Sequence, residues 1–110
     1  MLHRSASWLR RRRKALLRKL PDLEAILKGS LVVCFKRCGK PGCKCARGPG
    51  HGPKYYLSIS QTGTRPRMEY VPQEYHDQVR EYLANHHRVR EILAEISALN
   101  RELLRRRKPL

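Results

Sequence analysis

All four cysteines of this chain lie between Cys34 and Cys45, a stretch of twelve residues, and His51 follows six positions later. The segment that carries them, CFKRCGKPGCKCARGPGHGP, is rich in glycine, proline and lysine. Thiolates and an imidazole at this density are the ligands that Zn²⁺ takes in tetrahedral sites. In a small domain the bound metal supplies folding free energy that apolar burial does not. The sequence therefore predicts a structural zinc site.

The spacing leaves two ligand sets open. The first consists of Cys38, Cys43, Cys45 and His51, with the pattern C-x4-C-x-C-x5-H, and the second replaces His51 by Cys34. Cys34 lies in the extended apolar run LVVCF, where a thiol often acts as a small buried side chain. We therefore favour the set with His51. An iron–sulfur cluster, a disulfide framework and four reduced thiols are the alternatives, but the spacing matches no cluster pattern and nothing indicates an oxidising compartment.

The charge of the chain predicts a polyanionic partner. In 110 residues, 25 Lys and Arg stand against 9 Asp and Glu, a formal net charge of +16. The excess is +8 in residues 1–20, +7 in residues 21–68 and only +1 in residues 69–110. No acidic residue occurs between Glu24 and Glu69. A surface of this kind attracts phosphates, so nucleic acid is the expected ligand.

The candidate nucleic-acid contacts are basic side chains for phosphates and one tyrosine for stacking on a base. Tyr55 alternates in phase with Leu57 and Ile59 and is expected in the core, whereas Tyr56 belongs to the other strand face. The full set is Arg10, Arg11, Arg12, Arg13, Lys14, Lys36, Arg37, Lys40, Lys44, Arg47, Lys54, Tyr56, Arg65 and Arg67.

The apolar periodicity predicts an α+β fold. Residues 6–20 have a helical apolar stripe among arginines, and Pro21 and Gly29 are placed to begin and end a second short helix. Three segments then alternate as strands do, and we expect an antiparallel meander whose first connection is the zinc-knuckle-like loop. The predicted strands are 31–36, 54–60 and 65–71.

A long helix is predicted after Pro72. Apolar and weakly polar residues recur there at intervals of three and four through four heptads: Val79, Tyr82, His86, Val89, Leu93, Ile96, Asn100 and Leu103. This pattern is typical of a coiled coil, and Asn100 is the kind of residue that fixes its register. Ile92, Leu99 and Leu104 widen the stripe, which leaves a helical bundle with the N-terminal helix as the alternative. We favour a homodimer.

The chain is thus expected to divide into a basic helical arm (1–29), a zinc-loop β-meander (30–72) and a long C-terminal helix (73–110). No segment has the apolar length of a signal peptide or a membrane span, which predicts a cytoplasmic or nucleoid location. A basic amphipathic helix at 8–20 could bind anionic lipid, but this role would leave the basic cysteine loop unexplained.

The block CGKPGCKCARGPGHGPKYYLS, followed by TRPRMEYVP and the long helix, resembles a family of small uncharacterised prokaryotic proteins. The resemblance covers residues 27–107, so the arginine-rich start lies outside it. Cys34 is not part of the family's pattern, which favours the ligand set with His51. Members are often encoded near transposases and integrases, so the resemblance implies a mobile-element context and no known activity. The matching residues are Cys38, Gly39, Cys43, Cys45, His51, Gly52 and Pro53.

These features predict a zinc-stabilised, dimeric nucleic-acid-binding protein that assists DNA transposition or recombination, with a transposase as a partner. Catalysis is not expected, because four protein ligands leave no open position on the metal for water. An RNA-binding subunit of a ribonucleoprotein and a coiled-coil interaction adaptor are the alternatives. For the adaptor, the C-terminal helix would bind a protein and the charge would serve only localisation.

Overall fold

The computed structural model describes residues 3–36 and 51–110, and it gives only the backbone of Lys36, His51 and Gly52. Its elements confirm the α+β class. They are helix α1 (Ala6–Leu17), strands β1 (Ser30–Lys36), β2 (His51–Ile59) and β3 (Arg67–Val71), a 3-10 turn (Gln73–Tyr75) and helix α2 (His76–Arg105).

Helix α1 begins at a side-chain cap and buries one apolar stripe. The Ser5 hydroxyl accepts a hydrogen bond from the Trp8 amide at 3.0 Å, which satisfies one of the unpaired donors of the first turn. Leu9 and Leu16, two turns apart, are buried on the same face. The helix ends at Leu17, three residues earlier than the sequence predicted.

The predicted second helix after Pro21 is wrong, because the segment from residue 18 to residue 28 forms turns. The Asp22 carboxylate accepts from the Glu24 amide at 3.0 Å, and the Asp22 carbonyl accepts from the Ala25 amide at 3.0 Å. Such local bonds compete with a helical ladder. In addition, the Leu27 amide donates to the Tyr82 carbonyl at 3.2 Å, so tertiary contacts take backbone groups that a helix would need.

The three strands form the predicted antiparallel meander, in the order β1-β2-β3. Leu31 pairs with Leu57, and Tyr55 pairs with Val71, which places these side chains on one face. Gly29, with φ of +145°, leads into β1 so close to β2 that an added Cβ would lie 2.6 Å from the Ser58 carbonyl oxygen. Glycine is therefore required at that position.

The chain forms two compact units. The helical unit comprises the chain up to Ile26 together with Ala84–Leu110, and the sheet unit comprises Leu27–Leu83. Helix α2 contributes its first two turns to the sheet unit and the rest to the helical unit. Within the described residues, no helix is both long and apolar enough to cross a membrane.

The sheet unit has its own core on the face that Leu31 and Leu57 share. Leu57, Val71 and Val79 are buried there, so the start of α2 covers this face. Tyr55 and Ile59 pack against the same cluster. The alternation predicted for β2 is thus confirmed, with Tyr55 in the core.

The helical unit has a core in which α1 packs along α2. Its members are Leu9, Leu16, Ile92, Leu99 and Leu103, with Ile96 partly buried beside them. In this part of α2 the structure thus has the predicted alternative, a bundle with the N-terminal helix of the same chain. Leu93, a seam position of the predicted coiled coil, is 57% exposed. The homodimer itself stays a prediction.

Candidate nucleic-acid interface

Two of the five cations in the basic run at 10–14 are engaged in helix packing. The Arg12 guanidinium donates to both oxygens of Glu95, at 2.6 and 3.2 Å, and Arg13 donates to the Asn100 side-chain oxygen at 2.7 Å. The hydrogen bonds to Glu95, and then its charge, raise the pKa of Arg12. These residues thus fix α1 against α2, while Arg11 and Lys14 remain exposed.

The start of α1 lies beside the end of α2. The Arg10 guanidinium donates to the Pro109 carbonyl at 2.8 Å, and the Arg106 guanidinium donates to the Arg4 carbonyl at 2.6 Å. Leu9 of α1 and Leu103 of α2, both fully buried, belong to one core cluster. Packing therefore brings together two basic runs that are far apart in sequence. We call the combined surface the cationic end: Arg4, Arg10, Arg105, Arg106, Arg107 and Lys108.

One carboxylate is built into this end. Glu102 is only 4% exposed and accepts hydrogen bonds from Arg105 and, at 2.9 Å, from Arg106. These hydrogen bonds lower the pKa of Glu102, so it stays ionised. Residues 4–18 and 95–110 contain twelve Lys and Arg against two acidic residues, Glu102 and the Glu95 that pairs with Arg12. The surface is therefore strongly positive even after this internal pairing.

The last turn of α2 has an arginine where helices usually have glycine. The Lys108 amide donates to the Leu103 carbonyl at 3.0 Å and the Arg107 amide to the Leu104 carbonyl at 2.9 Å, the two bonds of a Schellman motif. Arg107 accordingly has a φ of +57°. This left-handed conformation costs an L-residue about 1–2 kcal/mol relative to its ordinary backbone regions.

The sheet unit has a face that α2 does not cover, which we call the open face. Tyr56 pairs with Tyr70, and their rings meet edge to face with centroids 5.8 Å apart at 69°. Tyr70 is 58% exposed and Met68 is 45% exposed. By register, the open face consists of Ser30, Val32, Cys34, Lys54, Tyr56, Ser58, Met68 and Tyr70.

The remaining predicted basic contacts have different environments. Lys54 is exposed on the open face, and Arg65 is exposed before β3. Arg67 lies 3.3 Å from the Glu69 carboxylate on the opposite face. Lys36 ends β1. Four others lie outside the described residues: Arg37, Lys40, Lys44 and Arg47.

Most of the predicted zinc ligands also lie outside the described residues, namely Cys38, Cys43 and Cys45. The backbone of His51 pairs with that of Lys36. Cys34 is a half-buried free thiol opposite Lys54, two residues further inside β1. The described residues contain no group of three metal-binding side chains.

Several residues of these surfaces were not among the predicted contacts. Arg4 and the basic run at the end of α2, Arg105, Arg106, Arg107 and Lys108, were not considered as phosphate contacts. Tyr70 was not considered either, although it falls in the same alternation as Met68 and was detectable once β2 and β3 were paired. Their grouping with α1 or with Tyr56 depends on tertiary packing.

Comparison with known proteins shows a family without an assigned function. The model of the domain of unknown function DUF6788 matches residues 7–81, so the chain belongs to that family. The resemblance was expected over residues 27–107, so both of its bounds were wrong: the match includes the basic first helix and ends at residue 81, within α2. The cysteine motif and the mobile-element context stay predictions. No curated protein and no solved structure matches the chain.

Proposed function

From the two surfaces, we propose that the protein is a non-enzymatic nucleic-acid-binding accessory with a structural zinc site. We place it in DNA transposition or recombination, where a transposase or integrase would carry out the chemistry. The observation that carries the proposal is the cationic end. Two basic runs from opposite ends of the chain are packed side by side, and the Glu102 carboxylate built into this end is neutralised internally. The positive charge that this end retains after the pairing with Glu102 suits a phosphate backbone.

The zinc would be held by Cys38, Cys43, Cys45 and His51, with Cys34 as the alternative fourth ligand. Bound there, it would link the ends of β1 and β2 and so stabilise the sheet. Four protein ligands make such a metal structural. The protein's own residues would then bind the nucleic acid.

A direct test is to purify the full-length protein after nuclease treatment and measure its affinity for labelled duplex DNA, single-stranded DNA and RNA over a series of salt concentrations. We expect binding to all three at low salt, with log affinity falling linearly with log salt. A preference for RNA over both DNAs would favour the ribonucleoprotein alternative. Failure to bind any nucleic acid at low salt would contradict the proposal and favour the adaptor.

Removing the Arg107 charge should weaken binding without weakening the fold. In Arg107→Gly, glycine adopts the left-handed conformation without strain, so the melting temperature should stay the same or rise. If Arg107 contacts a phosphate, the salt slope on duplex DNA should fall by about 0.9. Fluorescence anisotropy and thermal denaturation monitored by circular dichroism measure the two effects.

Arg90→Ala is the matched control for this variant. Arg90 is exposed in the middle of α2 and makes no ion pair with the described residues. Arg90→Ala also removes one positive charge, but at a position outside the cationic end. The salt slope should therefore stay unchanged. Equal slopes for Arg107→Gly and the unmodified protein would show that Arg107 does not contact the nucleic acid.

We also propose that α2 mediates a homodimer through the stripe it leaves uncovered. Leu93 and Leu104 are 57% and 54% exposed, and Val89 is half-buried on the same side. Leu93→Asp should therefore yield a folded monomer, because the substitution alters no core contact of the helical unit. Light scattering over a series of protein concentrations gives the mass, and circular dichroism reports the helix. A monomeric unmodified protein throughout that series would contradict the dimer.

A further inference from the structure

The open face has the composition of a surface that contacts bases. Tyr70 and Met68 are its exposed aromatic and apolar side chains, and the exposed Lys54 supplies a positive charge on the same face. The face carries no acidic residue along its described strands, because Glu69 lies on the opposite face with Leu57. Apolar and aromatic surface next to unneutralised charge fits a nucleic acid better than it fits an acidic or purely apolar partner.

We propose that the open face binds single-stranded nucleic acid, with unpaired bases stacking on Tyr70 and Tyr56. This inference rests on the proposed function and restricts the ligand of the open face to single-stranded nucleic acid. In a duplex the flat faces of the bases are stacked on one another, and the grooves present only base edges and phosphates. An aromatic ring on a sheet surface reaches a base face only where the strand is unpaired.

The register arranges these side chains as a platform across the sheet. Val32, Tyr56 and Tyr70 form one row over the three strands, and Met68 lies in the next row on β3. Rows two residues apart along a strand are separated by about 7 Å. In the edge-to-face pair, each tyrosine limits the movement of the other, so less entropy is lost when a base stacks.

The size of the open face also favours a nucleic-acid strand over a second copy of the chain. Three strands about 4.8 Å apart and three rows about 7 Å apart define an area of roughly 10 by 15 Å. A stable protein–protein interface needs about 800 Å² on each partner. The open face supplies a fraction of that area, yet it accommodates two or three bases.

The test compares a single strand with a hairpin duplex of the same sequence, using the full chain at constant salt. Tyr70→Ala should weaken single-strand binding about 5- to 150-fold, the range for loss of one stacked base. Hairpin affinity should change less than about twofold, because duplex binding uses phosphate contacts. Tyr70→Phe should retain the affinity, since the ring and not the hydroxyl makes the contact. Tyr75→Ala is the control, because Tyr75 is 51% exposed on the 3-10 turn away from the open face.

A second measurement uses the unmodified protein, so it does not depend on how a variant folds. Photo-crosslinking to a single strand that contains iodouracil should label β2 or β3, near residues 56 and 70. Crosslinks confined to the helical unit, or equal losses for Tyr70→Ala on both ligands, would overturn the open-face inference and leave the proposed function standing. A change in oligomeric mass in Tyr70→Ala with unchanged affinity would overturn it in favour of an interface between copies. No binding to either ligand by the unmodified protein would instead remove the proposed function.

Discussion

Chelation of zinc is expected to unfold the sheet unit. Structural zinc sites contribute on the order of 10–16 kcal/mol of apparent binding free energy in zinc-finger peptides. The core of the sheet unit has only three buried apolar side chains, Leu57, Val71 and Val79, among the described residues. Elemental analysis should give about one zinc per chain, and a chelator should abolish the β-sheet signals in NMR spectra. The helical core of Leu9 and Leu103 contains no metal ligand, so its helical signal should persist.

Single substitutions distinguish the two ligand sets. Cys43→Ser and Cys45→Ser should each reproduce the effect of chelation, since both sets include these thiols. His51→Ala should be as severe if His51 is the fourth ligand, and Cys34→Ser is then the matched control with a mild effect. The reverse ranking of His51→Ala and Cys34→Ser would assign the fourth position to Cys34. A protein that keeps its sheet without zinc would contradict the metal site itself.

The features that the sequence predicted correctly depend on neighbouring residues. The alternation in KYYLSIS placed Tyr55 in the core because a strand reverses its side chains at every residue, whatever the remainder of the fold does. Likewise, the long apolar period after Pro72 required a helix. Local patterns of this kind constrain an element and its buried face.

The features that the sequence did not predict depend on partners distant in the chain. Ile92 and Leu93 are adjacent and equally apolar, and only the position of α1 buries the former and exposes the latter. Arg12 and Arg13 resemble Arg11 in sequence, but Glu95 and Asn100, more than eighty residues away, provide them with partners. A run of arginines does not reveal which members will be used inside the fold.

The segment after α1 is a second case in which contacts distant in the chain overrode a local sequence signal. Pro21 and Gly29 are sound signals for the start and end of a helix. The structure instead satisfies this backbone through the Asp22 side chain and through Asn85, which donates to the Ala25 carbonyl at 3.0 Å. Helix propensity over eight residues is small against such tertiary contacts.

The assembly of the cationic end leads to a final prediction, in which affinity is lost without any change of charge. Leu103 is fully buried between α1 and α2, so Leu103→Ala should lower the free energy of unfolding by about 2–5 kcal/mol through lost burial and a cavity. That loss is a large fraction of the total free energy of unfolding of a small domain, which is typically about 5–15 kcal/mol. As α1 detaches, Arg4 and Arg10 separate from Arg106, and the salt slope of nucleic-acid binding should fall.

Leu17→Ala is the matched control for Leu103→Ala, because the Leu17 side chain, at the end of α1, is 54% exposed. Its effect on the free energy of unfolding should stay within about 0.5 kcal/mol, and its salt slope should equal that of the unmodified protein. Urea denaturation monitored by circular dichroism and anisotropy titrations measure both quantities. If Leu103→Ala destabilises the helical unit but leaves the salt slope unchanged, the two basic runs bind phosphates independently and their packing is not what makes the interface.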